Sequence, residues 1–179
     1  TFNVNSIKAR LESVLAWFRE TSPDVACLQE IKTETKSFPA AEFEAMGYNC
    51  AVLGQKTYNG VALISKHRIE DVRMGLPGND ADEQARYIEG VITTKTGAVR
   101  VASIYAPNGN PVDSEKYPYK LAWMDRLISH ARTLLRDEEP LVLAGDYNII
   151  PTEHDVWDPV AWKDDALFKI ESRRKLREL

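Results

Sequence analysis

An aspartate and an asparagine two positions apart, Asp146 and Asn148, follow the apolar run Leu141-Val142-Leu143-Ala144-Gly145 late in this chain. If that run is a buried strand, side chains at i and i+2 leave it on the same face. A carboxylate and a carboxamide would then emerge together, just after a glycine that lets another backbone approach closely. Such a pair suits the handling of water and phosphate oxygens. The same residues, with Pro151 behind them, also favour turns, so the run alone fits a plain strand end equally well. More polar residues fall at the ends of other strand-like segments: Asn3 and Asn5 on the first, Glu30 on the second, Tyr105 before a Pro-Asn-Gly loop. Taken singly, Glu30 could open a solvated loop, Tyr105 could be a half-buried strand aromatic, and Asn5 could be a turn residue. Strand ends at a common edge converge, however. Together they offer a metal-ligating carboxylate, a water-activating carboxylate, amides and a phenol, a set suited to phosphodiester hydrolysis.

The elements that must position these residues follow from the apolar pattern. Thr1 to Asn5 alternates as a strand. From Ile7 the residues Ile7, Leu11, Val14, Leu15 and Phe18 recur at helical spacing, with Ser6 as N-cap and Ser22-Pro23 as the stop. Segments 25–29, 49–53, 61–65, 87–94, 99–105 and 141–145 read as strands, with hairpin signals at Asn59-Gly60 and Lys95-Thr96-Gly97. A short helix is expected between Pro39 and Gly47. A long one is expected over 116–136, with Leu121, Met124, Leu127, Ile128, Ala131 and Leu135 on one face. After the last strand come a Trp-containing loop and a charged helix. Hairpins mixed with crossover helices predict a layered α/β fold with mixed sheets.

With 44% apolar and 28% charged residues, the 179-residue chain is an ordinary globular sequence with enough length for one real core. No segment approaches about 18 uninterrupted apolar residues, and the N-terminus lacks the order of a signal peptide, so no membrane partner is expected. Cys27 and Cys50 read as reduced core thiols of a cytoplasmic protein. The net charge of −4, from 23 basic and 27 acidic residues, excludes a global basic field for coating nucleic acid. A phosphate partner would have to be held locally, by a divalent cation or a few basic residues.

Five segments, Phe2-Asn3-Val4-Asn5-Ser6-Ile7-Lys8-Ala9-Arg10, Leu28-Gln29-Glu30-Ile31-Lys32, Gly60-Val61-Ala62-Leu63-Ile64, Tyr105-Ala106-Pro107-Asn108-Gly109 and Gly145-Asp146-Tyr147-Asn148, resemble successive motifs of bacterial exonuclease III. That family belongs to the endonuclease/exonuclease/phosphatase superfamily, whose fold is also seen in DNase I. The resemblance implies an α/β, DNase I-like four-layered αββα sandwich. Residues 1–179 would hold its N-terminal part as a single incomplete domain, lacking the start of the first strand and the C-terminal strands. It further implies a metal-dependent DNA repair phosphodiesterase that uses Mg²⁺ or Mn²⁺ on double-stranded DNA with abasic sites or 3′ ends. Carried over by position, Glu30 is implied to ligate the metal, with Asn3 and Asn5 flanking it. Tyr105 is implied to contact the scissile phosphate, Asp146 to orient or deprotonate the attacking water, and Asn148 to bind phosphate oxygens. Arg86 and Asn108 are implied as substrate contacts. The family continues into a terminal Ser-Asp-His, whereas His67, His130 and His154 lie in no such Asp-His pair. The expectation is an enzyme that is monomeric at full length, of which this chain alone is inactive. Two alternatives stay open: a catalytically silent fragment or binding domain, and a different phosphoesterase of the same superfamily.

Overall fold

Eight strands form, most of them short apolar-rich runs between turn-forming segments. In the computed structural model, which describes all residues Thr1–Leu179, they form two four-stranded sheets. Strands β1 (Phe2–Asn3), β2 (Val25–Gln29), β3 (Asn49–Leu53) and β4 (Val61–Ser65) pair in the order β1-β2-β4-β3. Strands β5 (Ile69–Met74), β6 (Tyr87–Thr94), β7 (Gly97–Tyr105) and β8 (Leu141–Asp146) pair in the order β5-β6-β7-β8. Each sheet has one parallel pair at an edge, β1 with β2 and β7 with β8, and is otherwise antiparallel. The expected mixed sheets are present.

All eight strands belong to one compact unit, Thr1–Tyr105 with Glu138–Asp146. Cys27, Val61, Leu63, Ile88, Ile92 and Val101 form one buried cluster joining the two sheets. On the other face of the first sheet, α1 (Leu11–Thr21) and α2 (Ala40–Glu44) lay Val14, Leu15, Phe18 and Phe43 against Ala26, Leu28, Ala62 and Ile64. Every residue of β4 is therefore buried, as expected for a strand covered on both sides. One polar link crosses the apolar interior: Gln29 Nε2 donates to Ser103 Oγ at 3.0 Å, and Ser103 Oγ donates to the Leu28 carbonyl at 3.0 Å.

The second unit, Ala106–Asp137 with Tyr147–Leu179, is helical. It holds α3 (Lys116–Leu134), the short α4 (Pro159–Trp162) and α5 (Ile170–Glu178). Arg132 pairs with Glu178 at 3.0 Å and Lys175 with Asp125, tying α5 to α3. No helix is long and apolar enough to cross a membrane.

Three expectations need correction. Helix α1 begins at Leu11 rather than Ile7, because residues 7–10 form turns and Arg10 (φ −123°, ψ 17°), not Ser6, stands at the N-cap. Strand β5 was not foreseen, since Ile69–Met74 has little apolar alternation and mostly exposed side chains. On α3 the buried stripe ends on Leu134, and Leu135 is exposed, as the long helix closes there and passes into a 3₁₀ turn.

Candidate active site

Both edge pairs that carry the polar residues are parallel, so the carboxyl ends of their strands point the same way. Asn3 lies at the end of β1, level with Gln29, the last residue of β2, and Glu30 follows directly. Tyr105 and Asp146 end β7 and β8 in matched register. The glycine before Asp146 is obligatory: a Cβ on Gly145 would lie 2.0 Å from the Ile104 carbonyl oxygen. The close backbone approach anticipated from the sequence is thus made by the neighbouring strand.

The four strand ends meet. Asn3 Nδ2 donates to Glu30 Oε1 at 2.8 Å and to Asp146 Oδ2 at 2.9 Å, so one carboxamide brackets two carboxylates that are 116 positions apart in the chain. Asn3 Oδ1 accepts the Asn5 backbone N–H at 3.1 Å, which fixes the direction of the amide. Asn3 therefore turns donors, rather than its oxygen, toward the carboxylates. Glu30 Oε2 lies 2.9 Å from Lys32 Nζ, and the same ammonium donates to Asn5 Oδ1 at 2.5 Å. Glu30 and Lys32 both have left-handed backbone (φ 52° and 50°), a strained geometry held by the hydrogen bonds from Ser6 N to Glu30 O and from Ile7 N to Ile31 O.

Burial alone would raise the Glu30 pKa. Hydrogen bonds from Asn3, Lys32 and Tyr105, with the charge of Lys32, outweigh it and hold the carboxyl below its usual range. Tyr105 moves the other way. Burial, then the charge of Glu30 and a hydrogen bond to it, push the phenol up to about 12, against a lowering contribution from Arg86. The phenol stays protonated at neutral pH and is a hydrogen-bond donor. Arg86 stacks on the Tyr105 ring at 5.0 Å from its centroid, donates to the Tyr105 carbonyl at 3.3 Å, and is held by Gln84 at 2.7 Å.

Asn108 and Asn148 fall in the helical unit. Strand β8 stops at Asp146, and Asn148 has a left-handed backbone (φ 48°), so the reading of Asp146 and Asn148 as one strand face is corrected. The i, i+2 rule ends where the extended backbone ends. Asn148 Nδ2 donates to the Ala106 carbonyl at 2.8 Å, and Asn108 is exposed, its Oδ1 accepting the Asn110 N–H at 3.1 Å. Lys120 Nζ donates to the backbone carbonyls of both Asn108 and Asn148. Sequence reasoning missed two lysines. Lys32 stands two residues beyond Glu30 in the segment Leu28-Gln29-Glu30-Ile31-Lys32, and Lys120 occupies a position of the buried stripe of α3, between Tyr117 and Met124.

The profile of the Endonuclease/Exonuclease/phosphatase family matches residues 1–174. The chain belongs to that family. Within it, the chain is 33% identical to exodeoxyribonuclease III of Haemophilus influenzae, over 87% of this chain and 59% of that protein, so it spans about three-fifths of that relative's length. A 3′ phosphatase from Neisseria, solved bound to a product DNA hairpin, superposes with a TM-score of 0.94 at 37% identity, covering 99% of this chain and 67% of the other. An AP endonuclease from Archaeoglobus fulgidus superposes at 0.92 with 38% identity over 99% and 67%. The fold of this family member is accordingly the DNase I-like fold expected from its motifs.

Proposed function

We propose that the protein is a divalent-metal-dependent DNA repair phosphodiesterase that cleaves double-stranded DNA at abasic sites and trims or cleans 3′ ends in the cytoplasm. The observation that carries this reading is the Asn3 carboxamide bracketing Glu30 and Asp146 beside the Tyr105 phenol. Two carboxylates at one strand edge, one depressed in pKa and already facing a cation, suit the separate tasks of holding a metal and handling water. The similarity to nucleases and to a DNA-bound phosphatase supports DNA as the substrate.

The residues fit a hard cation. Glu30 Oε2 and Asn5 Oδ1 converge on a single ammonium, that of Lys32, so two oxygen ligands are directed at one positively charged centre. Mg²⁺ and Mn²⁺ favour such oxygen sets, and Mg²⁺ commonly uses one or two carboxylates completed by water and phosphate. When bound, the metal would neutralise charge developing on the phosphate. The chain's own groups do the rest. Asp146 orients the attacking water and takes its proton, Asn3 keeps that carboxylate aimed, and Tyr105 donates to a phosphate oxygen while Arg86 steadies its ring. Asn148 binds a further phosphate oxygen through its carboxamide, and Asn108, exposed on its loop, touches the substrate backbone.

The deciding experiment uses the protein encoded by the complete gene on a duplex with one abasic site, titrated with Mg²⁺ and with Mn²⁺. Incision that requires a divalent cation and is lost in Asp146→Asn with duplex binding retained is the expected result. Metal-independent incision, or none by the wild type, would overturn the reading.

A further inference from the structure

Lys120 is completely buried, with 0% of its surface exposed. Lysine ordinarily extends its four-carbon stem so that the ammonium reaches water, because stripping that charge of solvent is costly. A lysine kept inside must be answering to particular acceptors. Two of them lie within the helical unit: Nζ donates to the carbonyl of Asn108 at 3.0 Å and to the carbonyl of Asn148. One ammonium on α3 thereby ties together two segments that are 40 positions apart, at the backbone of two asparagines assigned to the substrate.

The surrounding chain is moulded to this contact. Gly109, with φ 89°, lies against the lysine stem: a Cβ there would be 2.7 Å from Lys120 Cδ and 3.1 Å from Ala166 Cβ. Asn148 takes left-handed backbone, and its Nδ2 is spent on the Ala106 carbonyl at 2.8 Å. With the peptide carbonyl held by Lys120 and one amide proton held by Ala106, the direction of the Asn148 carboxamide is set from both ends.

We propose that Lys120 is a positioning residue of the reaction: it touches no substrate and acts by fixing the Asn148 carboxamide in the orientation that binds a phosphate oxygen. The assignment rests on the reading of Asn148 as a phosphate contact. Lysine suits the task because its tetrahedral ammonium aims separate N–H bonds at separate carbonyls, which a methionine of similar length cannot do. A small misdirection of a transition-state contact lowers turnover far more than it lowers binding.

The test is a double-mutant cycle in the protein encoded by the complete gene, with Lys120→Met, Asn148→Ala and the pair, scored by single-turnover cleavage of an abasic duplex with Mg²⁺. Lys120→Met is expected to lower kcat on the order of 10- to 100-fold with KM within about threefold. The pair is expected to be no slower than Asn148→Ala alone, since both changes remove one contact. Losses that multiply in the pair would assign Lys120 a separate, merely structural role and overturn the proposal. Should Lys120→Met not fold, Lys120→Arg keeps the charge but replaces the tetrahedral ammonium by a planar fork, and the same dependence on Asn148 is required of it. The side-chain amide resonance of Asn148 provides a readout that does not depend on catalysis. If Asn148→Ala proves fully active, the phosphate-contact reading fails, while a shifted Asn148 amide in Lys120→Met still upholds the positioning contact and an unmoved one overturns it.

Discussion

Two carboxylates of the sheet unit, Glu89 and Glu30, are both withdrawn from solvent, yet they are solved in opposite ways. Glu89 stands in the middle of β6 with 1% of its side chain exposed. Arg73 and Arg100 lie at 3.3 and 3.7 Å, and the Tyr87 hydroxyl donates to its other oxygen. Its partners sit on β5, β6 and β7, so the charge is answered by groups the sheet itself holds still. Burial and the bond to Glu89 together push the Tyr87 phenol upward, keeping its proton in that bond. Glu30 stands just past a strand end on strained backbone and keeps 20% of its side chain exposed. Its cationic partner is a lysine with a flexible stem. The difference teaches what separates a structural carboxylate from an available one: a fixed guanidinium frame in mid-strand against an ammonium that can leave.

The largest effect that should separate the two is on stability. Glu89→Ala takes one carboxylate from Arg100, which keeps Asp71 at 2.7 Å, and leaves the buried Tyr87 hydroxyl without its acceptor, so it is expected to cost about 1–3 kcal/mol in urea unfolding. Glu30→Gln should leave the unfolding midpoint close to wild type. Equal destabilisation would erase the distinction. The mirror experiment is catalytic: Glu30→Gln should lose activity at limiting Mg²⁺, and Asp146→Asn should slow turnover on the order of 10²-fold with duplex binding retained. A Glu30→Gln enzyme with a normal Mg²⁺ titration would take Glu30 out of the metal site.

A smaller change sharpens the contrast between the cations. Lys32→Met removes the ammonium that shares Glu30 and Asn5 oxygens, so Mn²⁺ should bind a few-fold more tightly by calorimetry. Weaker binding would mean that Lys32 helps to build the site rather than competing for it. The smallest effect concerns Cys27, whose thiol burial pushes up to about 11 from 9.0. A folded-state pKa raised above the unfolded one contributes stability that is complete below about pH 9 and is lost as the pH rises toward 11. Iodoacetamide should therefore leave Cys27 unmodified in the native protein at pH 8, and rapid alkylation there would contradict its burial.

Legibility in the sequence followed burial. Strands β2, β3, β4 and β6 could be read to the residue because apolar-rich runs are closed by Glu30, Gly54, Lys66 and Lys95, and the strand-end residues Asn3, Glu30, Tyr105 and Asp146 could be placed with them. Strand β5 could not, because an edge strand with a register shift between Glu70 and Arg73 buries too little to leave a pattern. Asn148 was misplaced because alternation does not announce where a chain turns left-handed. Both lysines escaped for one reason: a lysine is read as solvated by default, although Lys120 sat in an apolar stripe whose period already argued otherwise.

The hydrogen-bonded link from Gln29 through Ser103 to Leu28 has a consequence for how this edge can evolve. Interdigitated aliphatic side chains resist separation of two sheets but tolerate a slip of one along the other, because dispersion has little directional memory. Hydrogen bonds do not slip. This link joins the residue immediately before Glu30 to a residue two positions before Tyr105, so it behaves as a key cut between the sheets just beneath the carboxylate-bearing edge. Loops around that edge can lengthen, shorten or change charge, and so alter what is presented to it, while the alignment of Glu30 with Tyr105 and Asp146 is inherited unchanged from below.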